Sequence, residues 1–171
     1  MKNYLSDREM QCHDGWPYPA EYADRLAELR AMFNPLRERW GKPLYVTSGY
    51  RTPEHNRKVG GRPQSQHLQG RAVDMTVFNA REWAKLRVDS DGRHNAELNT
   101  DELAALALRM HRDGEIRIRG IGLYHVKESV SGGFVTGYRQ PFLHLDVRPG
   151  RLRFFGSHVS ELLKIWREVK G

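Results

Sequence analysis

The chain has 171 residues and sets 28 Lys plus Arg against 21 Asp plus Glu, a formal net charge of +7. That length suits one domain around one sizeable core, and 39% apolar with 29% charged residues excludes a globally disordered chain. The lone cysteine, Cys12, excludes an intramolecular disulfide and a multi-cysteine structural zinc site; the positive surplus favours polyanions without choosing between nucleic acid and an anionic cell wall.

The first residues hold no apolar core of signal-peptide length, and no later run approaches a membrane span. The expectation is a soluble monomer that does not insert into membranes and has no export signal of its own. No basic stripe interleaved with aromatics marks a nucleic-acid binder.

Pro17 and Pro19 close an irregular opening segment. From about Ala20, the residues Tyr22, Leu26, Leu29, Met32, Phe33 and Leu36 recur at helical spacing, with Pro35 predicted to break or kink the run. After Gly41 and Pro43, Leu44-Tyr45-Val46-Thr47 reads as a short strand that Ser48-Gly49-Tyr50-Arg51 leaves in a turn. Thr52 is a helix N-cap with Pro53 in the first position, opening a short helix that ends around Gly60-Gly61. Arg51 therefore sits at a strand-to-helix junction, where side chains face clefts.

A second strand is predicted over residues 72–77, then a polar excursion over 87–99. Thr100-Asp101-Glu102 opens a helix through Leu103, Leu106, Ala107 and Met110 that Gly114 ends. Strands follow at 116–124, 142–147 and 152–155, and a last amphipathic helix carries Val159, Leu162, Leu163, Ile165, Trp166 and Val169 on its apolar stripe. The fold class is α+β, a small, mainly antiparallel sheet packed against helices, in one domain over residues 1–171.

The chemistry concentrates in Ser65-Gln66-His67-Leu68-Gln69-Gly70-Arg71-Ala72-Val73-Asp74. Gly70 and the β-branched residues after it argue for a turn entering a strand, so that His67 and Asp74 approach one point from either side of the reversal. Along that strand Val73, Met75 and Val77 alternate with Ala72, Asp74 and Thr76, which puts the carboxylate opposite the bulky apolar side chains. In Phe142-Leu143-His144-Leu145-Asp146-Val147 the same alternation puts His144 and Asp146 opposite Leu143, Leu145 and Val147. Two imidazoles and one carboxylate suit Zn²⁺ and leave a fourth tetrahedral position for water.

These segments resemble the M15 peptidases, zinc D-alanyl-D-alanine carboxypeptidases and endopeptidases of the Hedgehog/DD-peptidase fold group. The matching pieces are Ser48-Gly49-Tyr50-Arg51-Thr52-Pro53-Glu54-His55-Asn56, the Ser-x-His-x-x-Gly-x-Ala-x-Asp run from Ser65 to Asp74, Gly120-Ile121-Gly122-Leu123-Tyr124, and Phe142-Leu143-His144-Leu145-Asp146. The resemblance implies zinc ligation by His67, Asp74 and His144, and a substrate- or oxyanion-contacting role for Arg51, with Ser65 and Tyr50 as further cleft residues.

Many members carry an acidic general base three residues before the last histidine ligand; here that position is Pro141. Asp146 is then the first candidate for a base or for an orienter of the metal site, followed by His125 and Glu128. His13, His55, His94, His111 and His158 read as surface or structural residues, and Cys12-His13 as a poor metal pair.

The resemblance implies hydrolysis of stem or cross-link peptides in bacterial peptidoglycan. The expected setting is a phage or prophage lysis enzyme made in the cytoplasm. The alternatives are a D-alanyl-D-alanine carboxypeptidase of wall maintenance and a zinc-stabilised wall-binding module without turnover.

Overall fold

A computed structural model of the chain describes residues 2–86, 90–131 and 134–171; within these, the side chains at 86, 90–94, 128, 130 and 134–138 fall outside the description. A capping box starts the first helix, α1 (Asp7–Met10): Ser6 Oγ accepts the Glu9 N–H while the Glu9 carboxylate accepts the Ser6 N–H. Met10, at its end, is buried, which anchors the amino-terminal segment to the core.

A 3-10 turn (Ala20–Tyr22) leads into α2 (Ala23–Trp40), which Gly41 stops at φ +71°. Pro35 neither breaks nor ends this helix. Leu29, Met32, Phe33 and Leu36 around it are almost fully buried. Burying each such side chain contributes about 1.5–3 kcal/mol, which together outweighs the roughly 3 kcal/mol that an interior proline costs.

The main sheet has the order β1 (Tyr45–Ser48), β2 (Ala72–Thr76), β6 (Phe142–Asp146), β3 (Gly120–Tyr124), β7 (Arg153–Phe155). Every neighbouring pair is antiparallel except β3 with β7. Val73 and Met75, Ile121 and Leu123, and Leu143 and Leu145 share one core cluster with residues of α2, α5 (Ser90–Arg112) and α6 (Val159–Lys170). The α+β class and the mainly antiparallel sheet are as expected. Register matters most for the site: Asp74 pairs with Ser48 on one side and with His144 on the other.

Three features depart from the sequence reading. The polar stretch 87–99 is largely helical, because α4 (Ala80–Leu86) precedes it and α5 opens at Ser90; residues 87–89 lie outside the described ones. Thr100 is therefore interior to a helix, buried, with its hydroxyl donating to the Ala96 carbonyl four residues back instead of capping. Residues 116–119 stay outside the strand that begins at Gly120. A hairpin of β4 (Lys127–Ser131) and β5 (Phe134–Arg139) fills the connection from β3 to β6. The short α3 (Pro53–Lys58) follows β1 with Thr52 capping it through the His55 N–H, as its Thr-Pro opening predicts.

Candidate metal centre

Three elements place the three central side chains. Ser65 Oγ accepts the His67 N–H and starts a 3-10 turn (Gln66–Gln69), and Gly70 at φ +60° reverses the chain into β2. Asp74 lies in the middle of β2, and the β2–β6 register sets His144 directly opposite. All three are buried. His67 Nε2 is 3.1 Å from Asp74 Oδ1 and 3.2 Å from His144 Nδ1, which is 2.7 Å from the same Asp74 oxygen. Residues 70 positions apart in sequence thus converge on one point, as the motif predicts.

The outer nitrogens decide the chemistry of the inner ones. His67 Nδ1 donates to the Gly49 carbonyl at 2.6 Å, and His144 Nε2 lies 3.1 Å from Asp146 Oδ2. With those protons committed outward, both inner nitrogens turn lone pairs toward the carboxylate oxygen and toward each other. Such a cluster needs one positive charge at its centre, either a proton or a cation. The donor separations of 2.7–3.2 Å fall close to the ~3.3 Å edge of a tetrahedron with bonds of about 2.0–2.1 Å, so the donor set fits Zn²⁺.

The electrostatics follow the same logic. Burial works against charge on His67 and lowers its pKa. Burial would raise Asp74, but the neighbouring His67 and the hydrogen bonds from both histidines prevail and hold its carboxyl well below the usual carboxylate range. Burial also opposes charging of His144, yet hydrogen bonds to Asp146 and Asp74 push it up to about 9. In the metal-free protein that extra proton occupies the place of the cation.

His144 is raised, so its ion-pair contribution to metal-free stability is complete below its unfolded value near 6.5 and is lost as pH rises through about 9. A metal must displace that proton, so apparent zinc affinity should rise about tenfold per pH unit between pH 7 and 9. Calorimetry at pH 7 in buffers of different ionisation enthalpy should show about one proton released per zinc; release of none would refute the coupling.

A second layer holds the cluster. Arg51 Nη2 donates to the other Asp74 oxygen at 2.7 Å and its Nε to Ser48 Oγ at 2.8 Å. Asp146 is fully buried, with Arg148 donating to both of its oxygens. Burial would raise Asp146, but the bonds from Arg148 and His144 bring it down to about 2. Gly120 explains the paired glycines of β3, since a Cβ there would lie 2.2 Å from Asp146 Oδ2. Across from His144, a Cβ on Gly122 would strike Phe155, whose ring packs edge-on against the His144 imidazole at 5.0 Å.

The sequence reading missed Tyr18. Its hydroxyl donates to the Gly70 carbonyl at 2.7 Å, bracing the reversal between two of the converging residues, and burial pushes its pKa up to about 12. A Cβ on Gly70 would approach that hydroxyl to 2.7 Å at a left-handed φ. We expect Gly70→Ala to lose about 1–2 kcal/mol from the backbone alone, and more from the clash, read as a lowered thermal midpoint. An unchanged midpoint would mean that the turn relaxes freely.

A cleft of about 280 Å³ opens beside the cluster, lined by His13, Ser48, Arg51, His55, Asp74, Arg139 and Phe142 among others. The Peptidase M15 family model matches residues 3–98, more than half of the chain. The chain belongs to the peptidase M15 family. Peptidase M15 members are zinc peptidases, which agrees with the cation that the converging donors call for. The match takes in Arg51, His67 and Asp74, while His144 and Asp146 lie beyond it and join the site through the β2–β6 pairing. A comparison with curated proteins found no match.

The other sequence candidates separate. Ser65 caps the turn before His67, and Tyr50 packs edge-on against Tyr18 and Tyr22. His125 bonds Asp101 of α5 at 2.7 Å and stacks on His158, and no hydrogen bond joins it to the cluster among the described residues. The side chains of Glu128 and His94 lie outside the described ones. No helix among the described residues is long and apolar enough to cross a membrane.

Proposed function

We propose that residues 1–171 form one peptidase domain that hydrolyses peptide bonds of bacterial peptidoglycan, with His67, Asp74 and His144 holding a catalytic zinc. The observation that carries this reading is the set of three lone-pair donors converging at 2.7–3.2 Å with their remaining protons directed outward. One core cluster drawing on residues from Leu5 to Val169 supports a single domain. Zinc bound there supplies a Lewis acid and an activated water.

The chain's own residues do the rest. The Gly49 carbonyl and Asp146 fix the two imidazole tautomers, and Arg51 fixes the rotation of the Asp74 carboxylate. Arg51 Nη1 makes no hydrogen bond among the described residues, and Arg51 lines the cleft; its fixed charge there suits a substrate carbonyl on which negative charge develops. Asp146 takes the orienting role of the two open to it, because it sits on the outer nitrogen of His144 and is tied up by Arg148.

Arg51 and Arg139 give the cleft lining two fixed positive charges, and Asp74 is the one carboxylate in that lining among the described residues. Stem peptides carry free carboxylates, which such a lining attracts. The same cationic character, +7 over the chain, draws the protein to an anionic wall and fits a phage or prophage lysis enzyme.

Among the described residues the cleft lining holds one carboxylate, Asp74, which Arg51 already engages; the competing reading is a zinc-stabilised module that binds the wall without cleaving it. Mass spectrometry of muropeptides after incubation with the zinc-loaded protein separates the readings. Cleaved cross-links or stem peptides support the endopeptidase, release of free D-alanine alone the carboxypeptidase, and unchanged muropeptides the binding module.

A further inference from the structure

A second group of metal-ligating side chains gathers around His55, which itself lines the cleft, and shares no residue with the buried cluster. Cys12 and Asp14, in the turn after α1, and His55, in α3, bring a sulfur, a carboxylate oxygen and an imidazole nitrogen within 4.8 Å of one another. Cys12 is only 3% exposed. Its sulfur accepts the Thr52 backbone N–H at 3.4 Å, and the Thr52 hydroxyl donates to Asp14 Oδ2 at 2.5 Å while accepting the His55 N–H at 3.1 Å. Backbone bonds from Cys12 N–H to the Trp16 carbonyl and from Gly15 N–H to the Cys12 carbonyl, both 3.0 Å, shape the turn that presents the sulfur.

The donor types select the ion. Thiolate with imidazole and carboxylate suits a borderline transition metal such as zinc, whereas calcium and magnesium take oxygen donors. Tetrahedral zinc places its donors roughly 3.3–3.8 Å apart. Closing the remaining ångström falls to Asp14, which is exposed, and to His55, which is half-buried, while Cys12 stays fixed. The His13 ring lies 5.8 Å from that of His55 and is placed to supply a fourth donor, or water does. Cys12-His13 is a poor pair taken alone; Asp14 and His55 are the partners that the linear sequence hides.

We propose that Cys12, Asp14 and His55 form a second divalent transition-metal site, distinct from the buried cluster, that clasps the amino-terminal segment to α3. The clasp lies next to a support of the first site. The Met10 carbonyl accepts the Tyr50 N–H at 2.9 Å, and a Cβ on Gly49 would come within 2.6 Å of Met10 Cα. The Gly49 carbonyl in turn orients His67. A metal at the second site therefore stiffens the backing of the turn that aligns the first site, and it does so whether or not the cleft cleaves peptides.

Titration of the metal-free full chain with cobalt(II) chloride tests this. Wild type should take up two cobalt ions per chain and develop a near-ultraviolet thiolate-to-cobalt charge-transfer band. His67→Ala should bind one ion and keep the band, whereas Cys12→Ser should bind one ion and lose it. Asp14→Asn and His55→Ala, with a thermal melt as the check on folding, should each weaken the sulfur-band titration about tenfold or more. Absence of the band in wild type, or a band whose titration is unmoved by both Asp14→Asn and His55→Ala, would overturn the site. The band reports this site alone, so a failure of the cleft to bind metal would show separately, as one ion in wild type with the band intact.

Discussion

Replacing His67 by alanine is expected to abolish peptide hydrolysis and tight zinc binding at the buried cluster while the chain still folds. Two donors cannot hold zinc in the geometry that three supply, and without the ion nothing in the cleft polarises a peptide carbonyl as strongly. The fall should be about 10³-fold or more in kcat/KM, equivalent to roughly 4 kcal/mol of transition-state stabilisation. Folding should survive, because among the described residues the side chain's own hydrogen bonds reach only the Gly49 carbonyl and the other two donors. Melting curves with and without zinc provide the check. An ion in excess by about a thousandfold over its Kd stabilises wild type by about 4 kcal/mol, and the shift should shrink sharply in the variant. A variant that hydrolyses the peptide substrate at the wild-type rate would remove His67 from the mechanism.

Asp146→Ala should produce the largest loss of stability. The carboxylate is 0% exposed and is held by both Arg148 and His144. Removing one partner of a buried ion pair strands the other, at a cost of about 3–5 kcal/mol. Zinc affinity should fall as well, by roughly 10–100-fold, because His144 loses the acceptor that fixes its tautomer. The pH dependence separates this charge from simple packing. Asp146 is depressed to about 2, so in wild type its contribution is present above its unfolded value near 3.9 and is lost as pH falls through about 2. Asp146→Asn should remove that part of the acid-unfolding profile; an identical profile in Asp146→Asn would show that the charge contributes nothing.

The site was legible in the sequence to the extent that its geometry is local. Gly70 between His67 and Asp74 signals a reversal, and the alternation in 142–147 puts His144 and Asp146 on one face, which the structure bears out. Thr52-Pro53 announces α3 for the same reason, since a cap acts over three residues. What depends on tertiary packing was hidden. Pro35 rides inside α2 because its neighbours are buried, and the polar stretch from Ser90 is helical although nothing in its pattern advertises a start. The choice between base and orienter for Asp146 depends on Arg148, whose guanidinium reaches it only in the folded strand end. Tyr18 lies 52 residues from the glycine it braces, a contact that no periodicity reveals.

In the proposed metal centre one divalent cation is held by His67 Nε2, Asp74 Oδ1 and His144 Nδ1 together. Anomalous diffraction at the zinc absorption edge, from crystals grown with zinc, tests it most directly. A peak should lie within bonding distance of all three atoms, with Asp146 still on the outer nitrogen of His144. Crystals in which these atoms are ordered and no anomalous peak lies among them would contradict it.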